Sequence, residues 1–114
     1  RGLGDVYKRQ TQAHFFIGGV GNIYADTGTG SGKSLSITNN AYINTSGNWV
    51  YRATDKATNI YQYDGYIGFR AVASGTAGNT ISWSEACRIN NSGVLSLDNF
   101  ILLSSSSSIL IFRA

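Results

Sequence analysis

Residues 74–92 read SGTAGNTISWSEACRINNS, and this stretch decides the fold class. Side chains alternate across an extended chain. Read that way, Ile81, Trp83, Glu85, Cys87 and Ile89 fall on one side, and Ser82, Ser84, Ala86 and Arg88 on the other. Gly75, Gly78 and Asn79 punctuate the start, and Asn90, Asn91, Ser92 and Gly93 the end. This is a strand bounded by turns.

The same grammar extends in both directions. Residues 41–44 (AYIN) and 48–54 (NWVYRAT) flank Thr45-Ser46-Gly47 as a hairpin, and Lys56 to Tyr63 is extended. Asp64-Gly65 is a strong two-residue hairpin signal, with Tyr66 to Ala73 returning along the preceding strand. Residues 80–89 form the next strand, NNSG a turn and VLSL a further strand. Upstream, AHFFIGGVGNIYA (13–25) reads as a bent strand pair turning at Gly18 and Gly19. DTGTGSGKS is a loop, Leu35 to Thr38 a strand, and Asn39-Asn40 a turn. Turns recur every ~8–12 residues and no helical apolar period is sustained. The expected class is all-β: short antiparallel strands and hairpins, either sandwich-like or an interlocked trimeric fibre module.

Residues 1–10, RGLGDVYKRQ, match the translation of a transposase sequencing adapter, so they stand outside the fold reasoning. The chain then reads as a fragment of an environmental gene. Residues 11–38 form an N-terminal β segment with its glycine-rich loop, 39–97 the central β module, and 98–114 a truncated or linker tail, where five serines separate two apolar runs.

The net charge of +3 is mostly adapter: Arg1, Lys8 and Arg9 against Asp5 leave +1 for the rest. Lys33, Arg52, Lys56, Arg70, Arg88 and Arg113 are scattered singly. Nucleic-acid binding needs such residues gathered on one face, so it is not expected. Charged residues are 13% of the chain, about half the usual ~25%. Ser, Thr, Asn and Gly serve as surface instead, a profile of extracellular or virion β proteins. Apolar residues at 42% exclude disorder. A lone Cys87 forms no internal disulfide, and no apolar run suits a membrane helix. No membrane insertion is expected.

Catalytic vocabulary is thin. Gly32-Lys33-Ser34 suggests a phosphate loop, but Thr27 stands where that motif needs glycine and a strand follows where it needs a helix. His14 is the sole histidine and has no acidic neighbour in sequence. Glycoside cleavage needs two carboxylates ~5–9.5 Å apart. Asp55 and Asp64 would serve only if their strands brought them together; each otherwise reads as turn chemistry. Glu85 with Arg88 reads as a local ion pair. No catalytic residue, metal or cofactor is expected. Trp49, Tyr51, Tyr61, Tyr63 and Tyr66 crowd two adjacent hairpins. Cross-strand aromatic packing is the ordinary account. Tyr51, Tyr61 and Tyr63 are the candidate glycan contacts, since flat rings with polar edges suit sugars.

Several elements in order carry a resemblance: Asn40-Ala41-Tyr42, Asn48-Trp49 with Tyr51, Tyr61-Gln62, Ser74-Gly75-Thr76-Ala77-Gly78-Asn79, Trp83 with Glu85-Ala86, and Arg88-Ile89 before Ser92-Gly93. Residues 39–97 resemble a region of bacteriophage tail fibres and tail spikes that often precedes a C-terminal intramolecular chaperone. Such regions often carry Met where this chain has Cys87, a change that keeps a soft apolar side chain. The resemblance implies a homotrimeric, β-rich shaft or collar in a virion appendage. The expected protein is then a tail-fibre segment near the receptor-binding end, with Ile81, Trp83 and Ile89 packed inward and host surface polysaccharide as the candidate partner. The rivals are a monomeric carbohydrate-binding β-sandwich, a fragment of a polysaccharide-degrading tail spike, and a bacterial surface adhesin.

Overall fold

The computed structural model describes residues 12–98; the adapter-like segment and the tail from residue 99 lie outside them. Nine antiparallel strands and no helix make up the described residues, so the all-β expectation holds. The strands are β1 (Gln12–Ile17), β2 (Gly21–Asp26), β3 (Ser34–Asn39), β4 (Ala41–Ile43), β5 (Trp49–Tyr51), β6 (Asp55–Tyr63), β7 (Tyr66–Gly75), β8 (Ser84–Ile89) and β9 (Leu95–Leu97). Seven of them form one broad sheet in the order β1-β2-β3-β6-β7-β8-β9. The chain meanders from neighbour to neighbour and departs once, between β3 and β6, to make the β4–β5 hairpin. Residues 12–38 and 39–97 therefore share one sheet.

The turns obey local chemistry. Asp64 (φ 52) and Gly65 (φ 84) take the left-handed conformation that a two-residue hairpin requires. Asn40 (φ 64) makes the corner out of β3. Its amide nitrogen donates to the carbonyls of Ala53 and Lys56, and its oxygen accepts from the Ala53 N–H. One buried side chain thus fixes both ends of the excursion.

The hairpin lies on one face of the sheet, with residues 78–81 running beside it. Tyr51 N–H donates to Asn79, Gly78 N–H to Tyr51 and Ile81 N–H to Trp49. Beneath them sits a small core of Ala41, Tyr51, Ala57 and Ile81, flanked by Trp49, Val72 and Trp83. Trp49 packs edge-on against both Tyr24 (5.5 Å) and Trp83 (6.0 Å).

Polarity is inverted across this sheet. The covered face carries His14, Asn22, Ser36, Thr38 and Asn59, all buried. Some are satisfied: the Thr38 hydroxyl reaches the carbonyls of Asn22 and Ala41, and the Asn22 amide that of Ala41. The Ser36 hydroxyl and both amide atoms of Asn59 have no hydrogen-bond partner. The open face carries an apolar row crossing all seven strands in register: Phe15, Ile23, Ile37, Ile60, Phe69, Cys87 and Leu97. A second row beside it runs Ala13, Ala25, Leu35, Gln62, Ile67, Ile89 and Leu95.

Two expectations are corrected here. The strand read over 80–89 begins only at Ser84; Thr80 makes an isolated bridge to Val50, and Ile81 turns into the core. The single-face alternation of Ile81 through Ile89 also fails. Phe69 pairs with Cys87 but Arg70 with Glu85, so Ala86 is an extra residue in a bulge. A bulge reverses the faces beyond it. Ile81 and Trp83 pack inward as expected, whereas Ile89 is exposed on the open face.

Candidate functional site

Beyond the reach of the β4–β5 hairpin, the polar face of the sheet ends in a shelf of aromatic rings and guanidinium groups. Period-two spacing places Tyr61 and Tyr63 on the same face of β6, and the tight Asp64-Gly65 turn sets Tyr66 directly opposite Tyr63. Tyr61 and Tyr63 stack with centroids 5.7 Å apart and planes 20° from parallel. Tyr66 stands edge-on, 6.0 Å from each.

Two arginines lie over these rings. The Arg70 guanidinium carbon is 3.7 Å from the Tyr61 centroid and 5.6 Å from that of Trp83. That of Arg88 is 3.7 Å from the Tyr66 centroid. Arg88 also grips Glu85 with two hydrogen bonds, Nε to Oε2 at 2.7 Å and Nη2 to Oε1 at 3.1 Å. The bulge at Ala86 makes this possible by turning Glu85 onto the same face as Arg88. Gly68 makes room for it: a Cβ there would stand 2.7 Å from Glu85 Oε1. Burial draws the Arg70 pKa down, while the hydrogen bonds that Arg88 donates to Glu85 raise its own. Burial, together with the neighbouring tyrosines, pushes the Tyr61 phenol up against the opposing charge of Arg70.

Asp26 borders the shelf on β2. It accepts from the Tyr24 hydroxyl at 2.5 Å and from the Ser34 N–H and hydroxyl at 2.8 and 2.9 Å. Burial would raise its pKa, but these three donors and the charge of Lys33 outweigh it, and the carboxyl stays below its ordinary range. The same burial and the same bond raise Tyr24 above the usual phenol range.

An open hollow of about 480 Å³ lies at this end of the sheet, lined by Lys33, Ser34, Gln62, Tyr63, Asp64 and Tyr66 among others. A second, of about 420 Å³, lies past Arg88, against Trp83, Glu85, Ser96 and Asp98. The surroundings offer ring faces, phenol hydroxyls and fixed charges of both signs. Those are the elements of recognition of a flat polar ligand such as a sugar.

The structure brings Tyr61 and Tyr63 together and takes Tyr51 elsewhere. Tyr51 is 6% exposed, its hydroxyl donating to the Ala73 carbonyl, so it presents no ring face to a ligand. Sequence reading left Tyr66 out of the contact set and missed Arg70 and Arg88. Continuing the period-two count across the Asp64-Gly65 turn would have found the first two. Arg88 needed knowledge of the bulge. Asp55 and Asp64 flank opposite ends of nine-residue β6, roughly 30 Å apart at strand rise, so the two are not assembled as a pair. His14 is buried between Phe16 and Tyr24, its Nδ1–H donating to Asn22 Oδ1 at 3.2 Å. Lys33 and Ser34 lead into β3 rather than a helix, as read. Among the described residues no cluster of His, Cys, Asp or Glu is placed to hold a metal ion, and no helix is long and apolar enough to cross a membrane.

The chain matches no protein-family model, no curated protein and no solved structure.

Proposed function

We propose that this chain is a structural segment of a phage tail fibre, a virion protein that assembles as a homotrimer and supports attachment to the host surface. The observation that carries the reading is the inverted sheet. Its hairpin covers polar side chains, while Phe15, Ile37, Ile60 and Phe69 stand open to solvent on the other side. The small core of one copy offers little apolar burial to offset the cost of ordering some ninety residues. Assembly of identical copies supplies it. The resemblance of residues 39–97 to tail fibres and tail spikes points the same way, and the function is mechanical: a stiff β module that holds a binding surface against the host envelope.

The tyrosine shelf favours a second reading, a carbohydrate-binding module that acts as a monomer. Light scattering on the full chain separates the two. A particle near three times 12.2 kDa is expected. A stable solitary chain that binds sugar saturably would replace the first reading with the second.

A further inference from the structure

We infer that the open face of the seven-stranded sheet is the surface through which copies of this chain pack on one another, sheet against sheet. The inference rests on the fibre reading and specifies the interface that reading needs.

The register makes the case. The two rows on the open face contain fourteen positions, and Gln62 is the only polar one among them. No charged residue stands in either row. The largest side chains lie over the middle strands, where Phe15's row passes through Ile37, Ile60 and Phe69, each between 38 and 45% exposed. An antiparallel sheet with one solvated face normally turns its polar residues to water. Here they are turned under the hairpin, where Ser36 is 0% and Asn59 1% exposed and neither side chain is paired. Burying such groups without a partner costs stability. The covered face therefore does not drive folding strongly, and the apolar side chains that can offset it lie on the side left uncovered.

Size and chemistry identify the cover. Seven strands at ~4.8 Å spacing and two apolar rows ~7 Å apart give a strip of about 30 by 10 Å, on the order of 300 Å² before side-chain relief. Monomers rarely expose contiguous apolar patches above a few hundred Å². Three such strips turned to one axis bury about 900 Å² in all, close to the ~1,000 Å² threshold for a specific interface. With no charge on the face, a partner of opposite charge gains nothing there. Each further copy offers a flat apolar sheet of the same width, and three such sheets turned towards a common threefold axis close into a prism whose interior side chains interdigitate.

Cys87 lies within the central row, between Phe69 and Leu97. It is the chain's one thiol and reports whether the face is covered. The experiment labels the full chain with a water-soluble maleimide while light scattering records its mass, for the wild type, Ile60→Glu and Leu110→Asp. The wild type is expected to be trimeric with Cys87 labelled at least tenfold more slowly than in Ile60→Glu, which is expected to be monomeric. A trimeric wild type whose Cys87 reacts like a free thiol overturns this inference and leaves the fibre reading standing; that measurement needs no variant to fold. A monomeric wild type overturns the fibre reading itself. Leu110→Asp tests the apolar run in the tail as a rival cover: loss of Cys87 protection with the mass unchanged would overturn the inference in favour of that segment, and retained protection supports the copy.

Discussion

The ring of Tyr51 lies against the backbone of Gly75, so close that a methyl group on Gly75 would overlap Cε2 and Cζ of the ring. The phenol then reaches past the glycine to donate to the Ala73 carbonyl at 2.8 Å. This contact fixes the hairpin layer against the far end of β7. Gly75→Ala is expected to destabilise by about 1–3 kcal/mol, the usual cost of overpacking. Tyr51→Phe, which keeps the ring and loses one hydrogen bond, should cost about 1 kcal/mol. Urea unfolding at one fixed protomer concentration checks both, since assembly alters apparent stability. Equal costs would mean that the close approach is not what holds the layers together.

Asn40 combines two demands that few residues meet. It sits at φ 64 and its side chain makes three hydrogen bonds to the backbone of residues 53 and 56. Asn40→Gly retains the backbone freedom and loses the bonds. Asn40→Ala loses both, and the left-handed conformation alone costs it about 1–2 kcal/mol. Both variants should be destabilised, with Ala worse than Gly by about that amount in a urea titration. A smaller penalty for Ala would show that the corner relaxes to another conformation.

Much of this fold was legible because the sequence states it locally. Asp64-Gly65, Asn39-Asn40 and Gly18-Gly19 mark real turns, and the strands between them were placed within a few residues. What failed has one physical source. A bulge is set by pairing with a neighbouring strand, not by the strand's own text, so nothing in SWSEACRI shows that Ala86 is extra. Hence Glu85 and Ile89 were assigned to the same face. The sheet's inversion was hidden for a related reason. Period-two spacing tells which residues share a face but not which face another layer will cover. SLSITN has Leu35 and Ile37 on one side and Ser36 and Thr38 on the other, and intuition buries the first pair. The hairpin buries the second. At the site, proximity in sequence found Tyr61 and Tyr63 but wrongly joined Tyr51 to them, because Tyr51 belongs to another layer.

His14 supplies a pH dependence. Burial lowers its pKa, and the opposing effects of Asn22 and the Ile43 backbone are smaller. The folded state therefore holds the neutral ring, while the unfolded chain takes up a proton near pH 6.5. Stability is complete above that value. It is lost as pH falls from about 6.5 towards the lowered folded value, with a slope of at most about 1.4 kcal/mol per pH unit for one proton. His14→Gln should flatten the urea midpoint between pH 7.5 and 5. Asp26 acts in a different window. Its folded pKa is depressed, so its contribution persists through this range and fades only below the ordinary carboxylate pKa. An unchanged slope in His14→Gln would place the titrating group elsewhere.

The shelf predicts a selective loss of ligand binding. If host polysaccharide docks on it, the stacked rings of Tyr61 and Tyr63 and the edge-on Tyr66 present a platform to a sugar ring, with Arg70 packed on the Tyr61 ring. Tyr63 is the ring to remove. It lines the hollow at the end of the sheet and lies at the mouth of the hairpin, so its loss should leave the fold intact. Tyr63→Ala is expected to weaken binding on an array of bacterial surface oligosaccharides by about fivefold, in line with ~1 kcal/mol for a lost aromatic contact. The mass of the assembly should not change, because the shelf and the open apolar face lie on opposite sides of the sheet. Tyr51→Phe is the control: the residue is buried 22 positions upstream of its Ala73 partner, and sugar binding should be indifferent to it. If Tyr51→Phe lowered binding as much as Tyr63→Ala while both kept their fold, the contact would lie at the hairpin layer and the shelf would be only a stabilising stack of rings.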